Sequence, residues 1–362
     1  MKFGKLSNKR VKAYKGAKVV NWIDNRGPMD DIVLSSRVRL ARNIASFPFP
    51  SIMNTNIAEQ VIAKVRDSII SGNSVLCSEF SALRFKTISS LQRKMLVERH
   101  MSSPDLAKKP DFGMLLINNQ ESISIMINEE DHIRMQCIYP GFQLSQAWDM
   151  LDKVDDLVEE NVEYSFDEHL GYLTSCPTNL GTGLRASIMI HLPALKLSKQ
   201  LDAIFHAISK VGMTARGLYG EGSDASGDLF QISNQISLGL TEQEIINNLN
   251  VVGLQLMDKE KNAREVFLDA DRAEFEDRVW RGLGVFKYAR KLGIKEFMEM
   301  LSYVRLGVSM GLIDNFNSAQ LNSMMVAVQP AHLKNYSGKD AGDAELDVVR
   351  AEVVRNRLGT HL

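Results

Sequence analysis

Ile32-Val33-Leu34-Ser35-Ser36-Arg37-Val38-Arg39-Leu40 is the stretch from which the fold unfolds. Its even positions, Ile32, Leu34, Val38 and Leu40, are apolar, with Ser36 the exception. Its odd positions include Ser35, Arg37 and Arg39. A period of two predicts a strand that puts both arginines on one face, away from the core. Outward from it, Met114 to Ile117 and Ser122 to Asn128 read as a hairpin around Asn118-Asn119-Gln120. If the second strand stays extended, Asn128, Glu130, His132 and Arg134 share a face. Leu184 to Leu192 alternates again, with Leu184, Ala186, Ile188 and Ile190 opposite Arg185, Ser187, Met189 and His191. Gly212 to Tyr219 and Leu229 to Leu238 complete a predicted sheet. Gln143 to Glu160 and Leu195 to Val211 read as helices. These connections fit an α+β class with a mostly antiparallel sheet flanked by helices.

After Gly239 the texture changes. Thr241-Glu242-Gln243-Glu244 is a capping-box pattern ahead of a helix predicted to run to about Leu268. Helical periodicity continues to the end, with a loop expected at residues 337–342 before a last helix. The expected division is a short segment at 1–30, a catalytic domain at 31–263 and a helical domain at 264–362. Helix-rich tails of this kind often dimerise, and regulation is the other role expected of this one. No internal repeat or low-complexity tract interrupts the chain.

The 362 residues are 44% hydrophobic and 24% charged, room for two domains. The 43 basic and 44 acidic residues give a net charge of −1, without the basic excess of a nucleic-acid binder. No apolar run approaches the roughly 20 residues that span a bilayer, and Met1 to Lys18 lacks a signal-peptide core. Three cysteines, Cys77, Cys137 and Cys176, form no Cys-x-x-Cys pair, which argues against disulfides and zinc and for a reducing cytoplasm. With seven histidines and no H-E-x-x-H pattern, no protein-held metal is expected.

Three segments carry the chemistry: Ser35 to Arg39, Asn128 to Arg134, and Cys176 to Arg185. Arginines grip phosphate oxygens through a planar fork, and carboxylates grip a guanidinium by the same fork in reverse. Taken alone, Arg37 and Arg39 fit a solvated strand face as well as a phosphate site. Arg134, Arg185 and Arg216 shift the balance, because converging arginines neutralise and orient a triphosphate. Glu129-Glu130-Asp131 reads either as an acidic turn or as a clamp that aligns a guanidinium and takes its proton. Glu221 is a second candidate clamp, or an exposed loop acid. Cys176, in a polar turn near arginines, is a candidate thiolate beside a guanidinium and not a covalent nucleophile. Asp111-Phe112-Gly113 matches a protein-kinase triplet without its accompanying motifs, and no Walker loop is present.

Ser-Ser-Arg-Val-Arg, Asn-Glu-Glu-Asp-His-x-Arg, Cys-Pro-Thr-Asn-x-Gly-Thr-Gly-x-Arg and Arg-Gly-x-x-Gly-Glu, in this order, resemble the catalytic domain of the phosphagen (guanidino) kinases. The likeness covers about residues 31–263 and is strongest to the bacterial protein-arginine kinase branch. It implies transfer of the γ-phosphoryl of ATP, accompanied by magnesium, to arginine in proteins, giving phosphoarginine and ADP. Arg37, Arg39, His100, Arg134, Arg185 and Arg216 would hold the nucleotide. The flanking positions Ser35, Ser36, Val38, Ala186, Ser187, Ile188, Met189, Gly217, Leu218, Tyr219, Gly220 and Glu221 would line its site. Tyr219 stands where small-molecule members carry an arginine, so no phosphate contact is assigned to it. Glu130, as base, and Glu221 would hold the acceptor guanidinium, with Cys176 beside it.

Only about thirty residues precede the first arginine motif, where small-molecule guanidino kinases have a helical domain. An open acceptor site suited to protein arginines follows from that, with a free guanidino compound as the alternative substrate. A catalytically silent binder of phosphoarginine proteins is the reading outside enzymology. The branch's phosphoarginine-binding tail motif, Arg-Asp-x-x-Arg-Ala, is here Leu346-Asp347-Val348-Val349-Arg350-Ala351, so that pocket is expected to be weaker or lost. The resemblance also implies protein quality control, stress response, a homodimer, and as partners a heat-shock repressor, a zinc-binding activator and a Clp ATPase–protease.

Overall fold

Strand β1 (Val33–Arg42) lies inside an eight-stranded antiparallel sheet, paired with β5 (Ile133–Pro140) on one side and β8 (Leu184–His191) on the other. The computed structural model describes residues 21–71, 75–218, 225–338 and 341–359. Beyond β5 come β4 (Ile123–Ile127), β3 (Met114–Asn118) and β2 (Phe80–Arg84). Beyond β8 come β10 (Leu229–Asn234) and the edge strand β9 (Met213–Gly217). A small separate hairpin joins β6 (Phe166–Asp167) and β7 (Gly171–Tyr172).

The two faces of the sheet have different fates. Val38, Leu40, Met135, Ala186, Ile188 and Ile232 point into a core covered by helices α1 (Thr55–Ile70), α4 (Leu144–Glu159), α6 (Leu201–Lys210) and α7 (Glu242–Ala270). Burying such side chains stabilises by about 1.5–3 kcal/mol each. The opposite face is shared. Part of it (Leu115, Met126, Ile138, Met189, Leu229) packs into a second core with the tail helices, and the rest carries arginines.

One expectation for β1 fails. The register shifts between Val33 and Ser35, so Leu34 joins the second core instead of lying beside Val38 and Leu40. An extra residue in a strand sends what precedes it to the other face. The helix expected over Leu195 to Val211 is also two, α5 (Pro193–Leu197) and α6, broken where Lys199 takes a left-handed φ of 58°. Short helices α2 (Ser90–Glu98) and α3 (Pro104–Lys108) precede β3.

The capping box forms as read: Glu244 N–H donates to Thr241 Oγ1 and Thr241 N–H to a Glu244 oxygen. Helix α7 packs on the sheet through Ile245, Leu249 and Leu256 and continues into the tail. There follow α8 (Arg272–Tyr288), α9 (Ile294–Ser309), α10 (Ser318–Ala327), α11 (Pro330–Ser337) and α12 (Asp343–Arg357). Among the described residues, no helix is long and apolar enough to cross a membrane.

Candidate active site

Strand register gathers the arginines. Arg39 faces Arg185 directly across β1 and β8, Arg37 faces Ser187, and Ala41 faces Arg134 across β5. On β10, Gln231 sits between Met189 of β8 and Arg216 of β9. Side chains alternate across a sheet, so Arg37, Arg39, Arg134, Arg185 and Arg216 all project from one face. The same alternation removes Ser36, Val38, Ala186 and Ile188 from the expected side-chain contacts. Val38, Ala186 and Ile188 are in the first core, and the Ser36 hydroxyl donates to Gly141 O and accepts from Gln143 N–H, both at 2.9 Å. Ser35, Ser187 and Met189 remain on the arginine face.

These guanidinium groups crowd one another. Burial, then Arg134 and Arg185, lower the pKa of Arg37 to about 10. Burial and the charges of Arg37, Arg134 and Arg185 hold Arg39 well below its ordinary value. Burial, Arg216 and Arg134 lower Arg185 as well. Arg37 Nη2 donates to Gln231 Oε1 at 2.8 Å. Arg39 Nε and Arg185 Nε are buried without a hydrogen-bond partner among the described residues. Like charges stacked with orphaned donors are costly unless an anion joins them, and a polyphosphate supplies the matching charge and oxygens. The residues present therefore fit a nucleoside triphosphate tail.

The acidic segment folds differently from its extended reading. Strand β4 ends at Ile127, Asn128 turns left-handed at φ 61°, and its N–H donates to His132 O at 2.9 Å. Glu130 thus sits in a turn, and only Arg134 belongs to the next strand. The turn divides its three acids by task. Glu129 is buried against Arg134, at 2.7 Å; burial raises its pKa, and Arg134 with further hydrogen bonds more than offsets that, so it lies below the ordinary value. Asp131 Oδ1 accepts from Asn43 Nδ2 at 2.6 Å and from Ser175 N–H at 2.7 Å. His132 is buried as well, its Nδ1 accepting from Ile44 N–H at 3.0 Å while its Nε2 lies 2.9 Å from Pro48 O. Glu130 is exposed, and its carboxylate has no hydrogen bond or ion pair among the described residues. Burial of its inner part and the charge of Asp131 raise its pKa above the ordinary carboxylate value.

By holding Ser175, Asp131 ties this turn to the segment carrying Cys176. Cys176 is half-buried, its Sγ 3.1 Å from Thr178 Oγ1, and near enough to favour the charged form of Arg185. Glu130 and Cys176 are thus each within electrostatic reach of a cradle arginine, Arg134 and Arg185 respectively.

His100 stacks on Trp22, ring centroids 5.1 Å apart, in a left-handed backbone position at φ 62°. Burial and nearby Arg37 lower its pKa to about 4, so it is neutral at pH 7 and brings no charge to a phosphate. Gly217 ends β9 and Leu218 follows it, whereas Tyr219, Gly220 and Glu221 lie outside the described residues. Leu346 is buried in the second core, and Arg350 is committed to Asp347, Leu292 O and Val328 O. Among the described residues, no cluster of histidine, cysteine and acids is placed to hold a metal. Sequence reasoning missed Gln231 and Asn43; the only signal for Gln231 was one long polar side chain between the apolar Phe230 and Ile232.

Residues 60–263 match the ATP:guanido phosphotransferase C-terminal catalytic domain, and residues 272–361 match the protein-arginine kinase McsB C-terminal domain. The crystal structure of lombricine kinase shares the fold, with a TM-score of 0.57 at 24% identity over 66% of this chain and 68% of that one. The catalytic half is thus that of a guanidino phosphotransferase, a class that uses ATP. The chain is 45% identical over 328 residues to the protein-arginine kinase of Caldanaerobacter subterraneus subsp. tengcongensis, covering 91% of this chain and 97% of that one. It is 46% identical over 338 residues to that of Bacillus subtilis, covering 93% of each. The chain belongs to the protein-arginine kinase family.

Proposed function

We propose that the protein transfers the γ-phosphoryl group of ATP to the guanidinium of arginine residues in proteins, giving phosphoarginine and ADP. The observation that carries this reading is the contrast within one turn: Glu129 and Asp131 are bound to the protein, and the Glu130 carboxylate alone has no partner among the described residues, beside a cradle of arginines. In this reading Arg37, Arg39, Arg134, Arg185 and Arg216 hold the phosphates, and neutral His100 with Trp22 lies toward the nucleoside. Magnesium bound to the nucleotide would share the neutralisation of its phosphates.

Glu130 grips the acceptor guanidinium and takes one proton from the attacking nitrogen. As that nitrogen forms its bond to phosphorus, the bond from phosphorus to the β,γ-bridging oxygen breaks, and the arginines stabilise the charge that collects on the leaving oxygen. A carboxylate whose pKa is raised by burial and by Asp131 is a stronger base than an ordinary one. Glu221 serves as the second clamp, and Cys176 lies beside the acceptor.

An exposed Glu130 supports a protein-borne acceptor over one that must be enclosed. We assign residues 31–263 to catalysis and 264–362 to dimerisation and regulation. Val266, Trp280 and Tyr288 on the tail, 68%, 49% and 64% exposed, support a homodimer through this region. The setting is a cytoplasmic stress response, with a heat-shock repressor, a zinc-binding activator and a Clp ATPase–protease as partners.

The test is incubation of the full chain with γ-labelled ATP and either an unfolded protein or free arginine. Acid-labile label on the protein is expected; label on free arginine alone overturns the reading. Glu130→Ala is expected to lose about 10²–10⁴-fold in rate while still binding ATP, and Arg216→Ala about 10²-fold.

A further inference from the structure

A row of hydrogen-bonded side chains joins the catalytic sheet to the tail. His191 ends β8, Ser302 lies within α9, and Asp228 directly precedes β10. Ser302 Oγ is 2.8 Å from His191 Nε2 and 2.6 Å from Asp228 Oδ2, and Lys196 Nζ holds Asp228 Oδ1 at 2.8 Å. A carboxylate only accepts, so Ser302 donates to Asp228 and accepts from His191 Nε2–H. These are the residue types of a hydrolytic triad with the polarity reversed: the histidine donates to the serine instead of taking its proton. Ser302 and His191 are also sealed from solvent, at 2% and 0% exposure. Burial and the neighbouring Arg264 and Arg305 hold His191 well below its ordinary pKa, so it stays neutral. The row does no chemistry; it transmits position.

What it positions follows from the register. Three residues after Asp228, Gln231 accepts from Arg37 and lies opposite Arg216. Among the described residues, strand β9, which carries Arg216, is the sheet edge and pairs with β10 alone. The chain enters β10 through left-handed Gly227 and Asp228, φ 67° and 54°. A Cβ at Gly227 would fall 2.8 Å from Met298 O of α9. The helix therefore clamps the start of β10 by backbone contact and by hydrogen bond.

We propose that Ser302, acting through Asp228, is a positioning residue for phosphoryl transfer, by which the tail sets the Arg216–Gln231 arm of the phosphate cradle. This inference rests on the kinase reading above.

The test is a double-mutant cycle in the full chain, assayed with ATP and an unfolded, arginine-rich protein. Ser302→Ala is expected to lower kcat about tenfold with KM for ATP within about twofold, and to cause no further loss in an Arg216→Ala background. Asp228→Ala should match it. Asp228→Asn, which keeps an acceptor oxygen and tolerates the left-handed backbone, should retain most activity and so separates positioning from folding. A wild-type kcat in Ser302→Ala, a loss that multiplies with that of Arg216→Ala, or equal losses in Asp228→Asn and Asp228→Ala would overturn the inference. Absence of transfer by the wild-type protein run alongside would instead remove the kinase reading, and this inference with it.

Discussion

Two sets of arginines, one buried and one half-buried, are treated in opposite ways. Arg42 gives Nε and Nη2 to Asp155 and Nη1 to Thr182 O, and lies over the Tyr172 ring at 3.5 Å. Arg264 is paired with Glu260 at 2.8 Å and donates to Ser309 Oγ, and Arg350 binds Asp347 and two backbone carbonyls. Every charge in this set has a counter-charge. Arg37, Arg39 and Arg185 sit among other arginines, and two of their Nε atoms have no partner among the described residues. A guanidinium in the first set holds the fold together. One in the second raises the energy of the folded state unless an anion joins it.

Substitutions can break this comparison, and the sharpest is in the structural set. Arg264→Met leaves Glu260 buried without its counter-charge and is expected to cost about 3–5 kcal/mol in urea unfolding. A loss below about 1 kcal/mol would end the distinction from that side. Arg39→Met should lower kcat by about 10²–10³-fold, since in the proposed mechanism it removes a donor aimed at charge that develops during transfer. In the same variant, stability should stay level or rise by up to about 1 kcal/mol, because a desolvated like charge has gone. Destabilisation on the scale of Arg264→Met would place Arg39 in the structural set.

A smaller effect sharpens the same contrast among the acids. In the proposed mechanism Glu130 acts as base when deprotonated, and its pKa is raised, so activity is expected to be lost as pH falls through a value above the ordinary carboxylate range. Asp131 contributes to that rise. Asp131→Asn keeps the oxygen that accepts from Asn43 and Ser175 and removes the charge. It should move the acidic limb of the kcat/KM profile to lower pH by less than about one unit. An unmoved limb would detach Glu130 from that limb.

The strand order was partly legible because alternation is a local property. The apolar set Leu184, Ala186, Ile188 and Ile190 enters the first core as its spacing predicts. The failures are equally physical. The bulge that diverts Leu34 leaves no mark in a run of apolar and small residues. The turn at Asn128 depends on a contact with His132 O, on the far side of the acids it redirects. Lys199 ends a helix without glycine or proline to announce it. The candidate site was legible as a list of residue types, and Gln231 and Asn43 escaped because their roles exist only across strands.

The sequence by itself determined the alternating strands, the helical tail and the residue types of a phosphate-and-guanidinium site, since these rest on spacing along the chain. Tertiary structure decided which arginines carry a counter-charge and which do not, and which of three consecutive acids is left free. It also decided that Ser302, far along the tail, reaches the strand beside Arg216. Those distinctions depend on what lies opposite a side chain in space, and neighbours in sequence do not fix that.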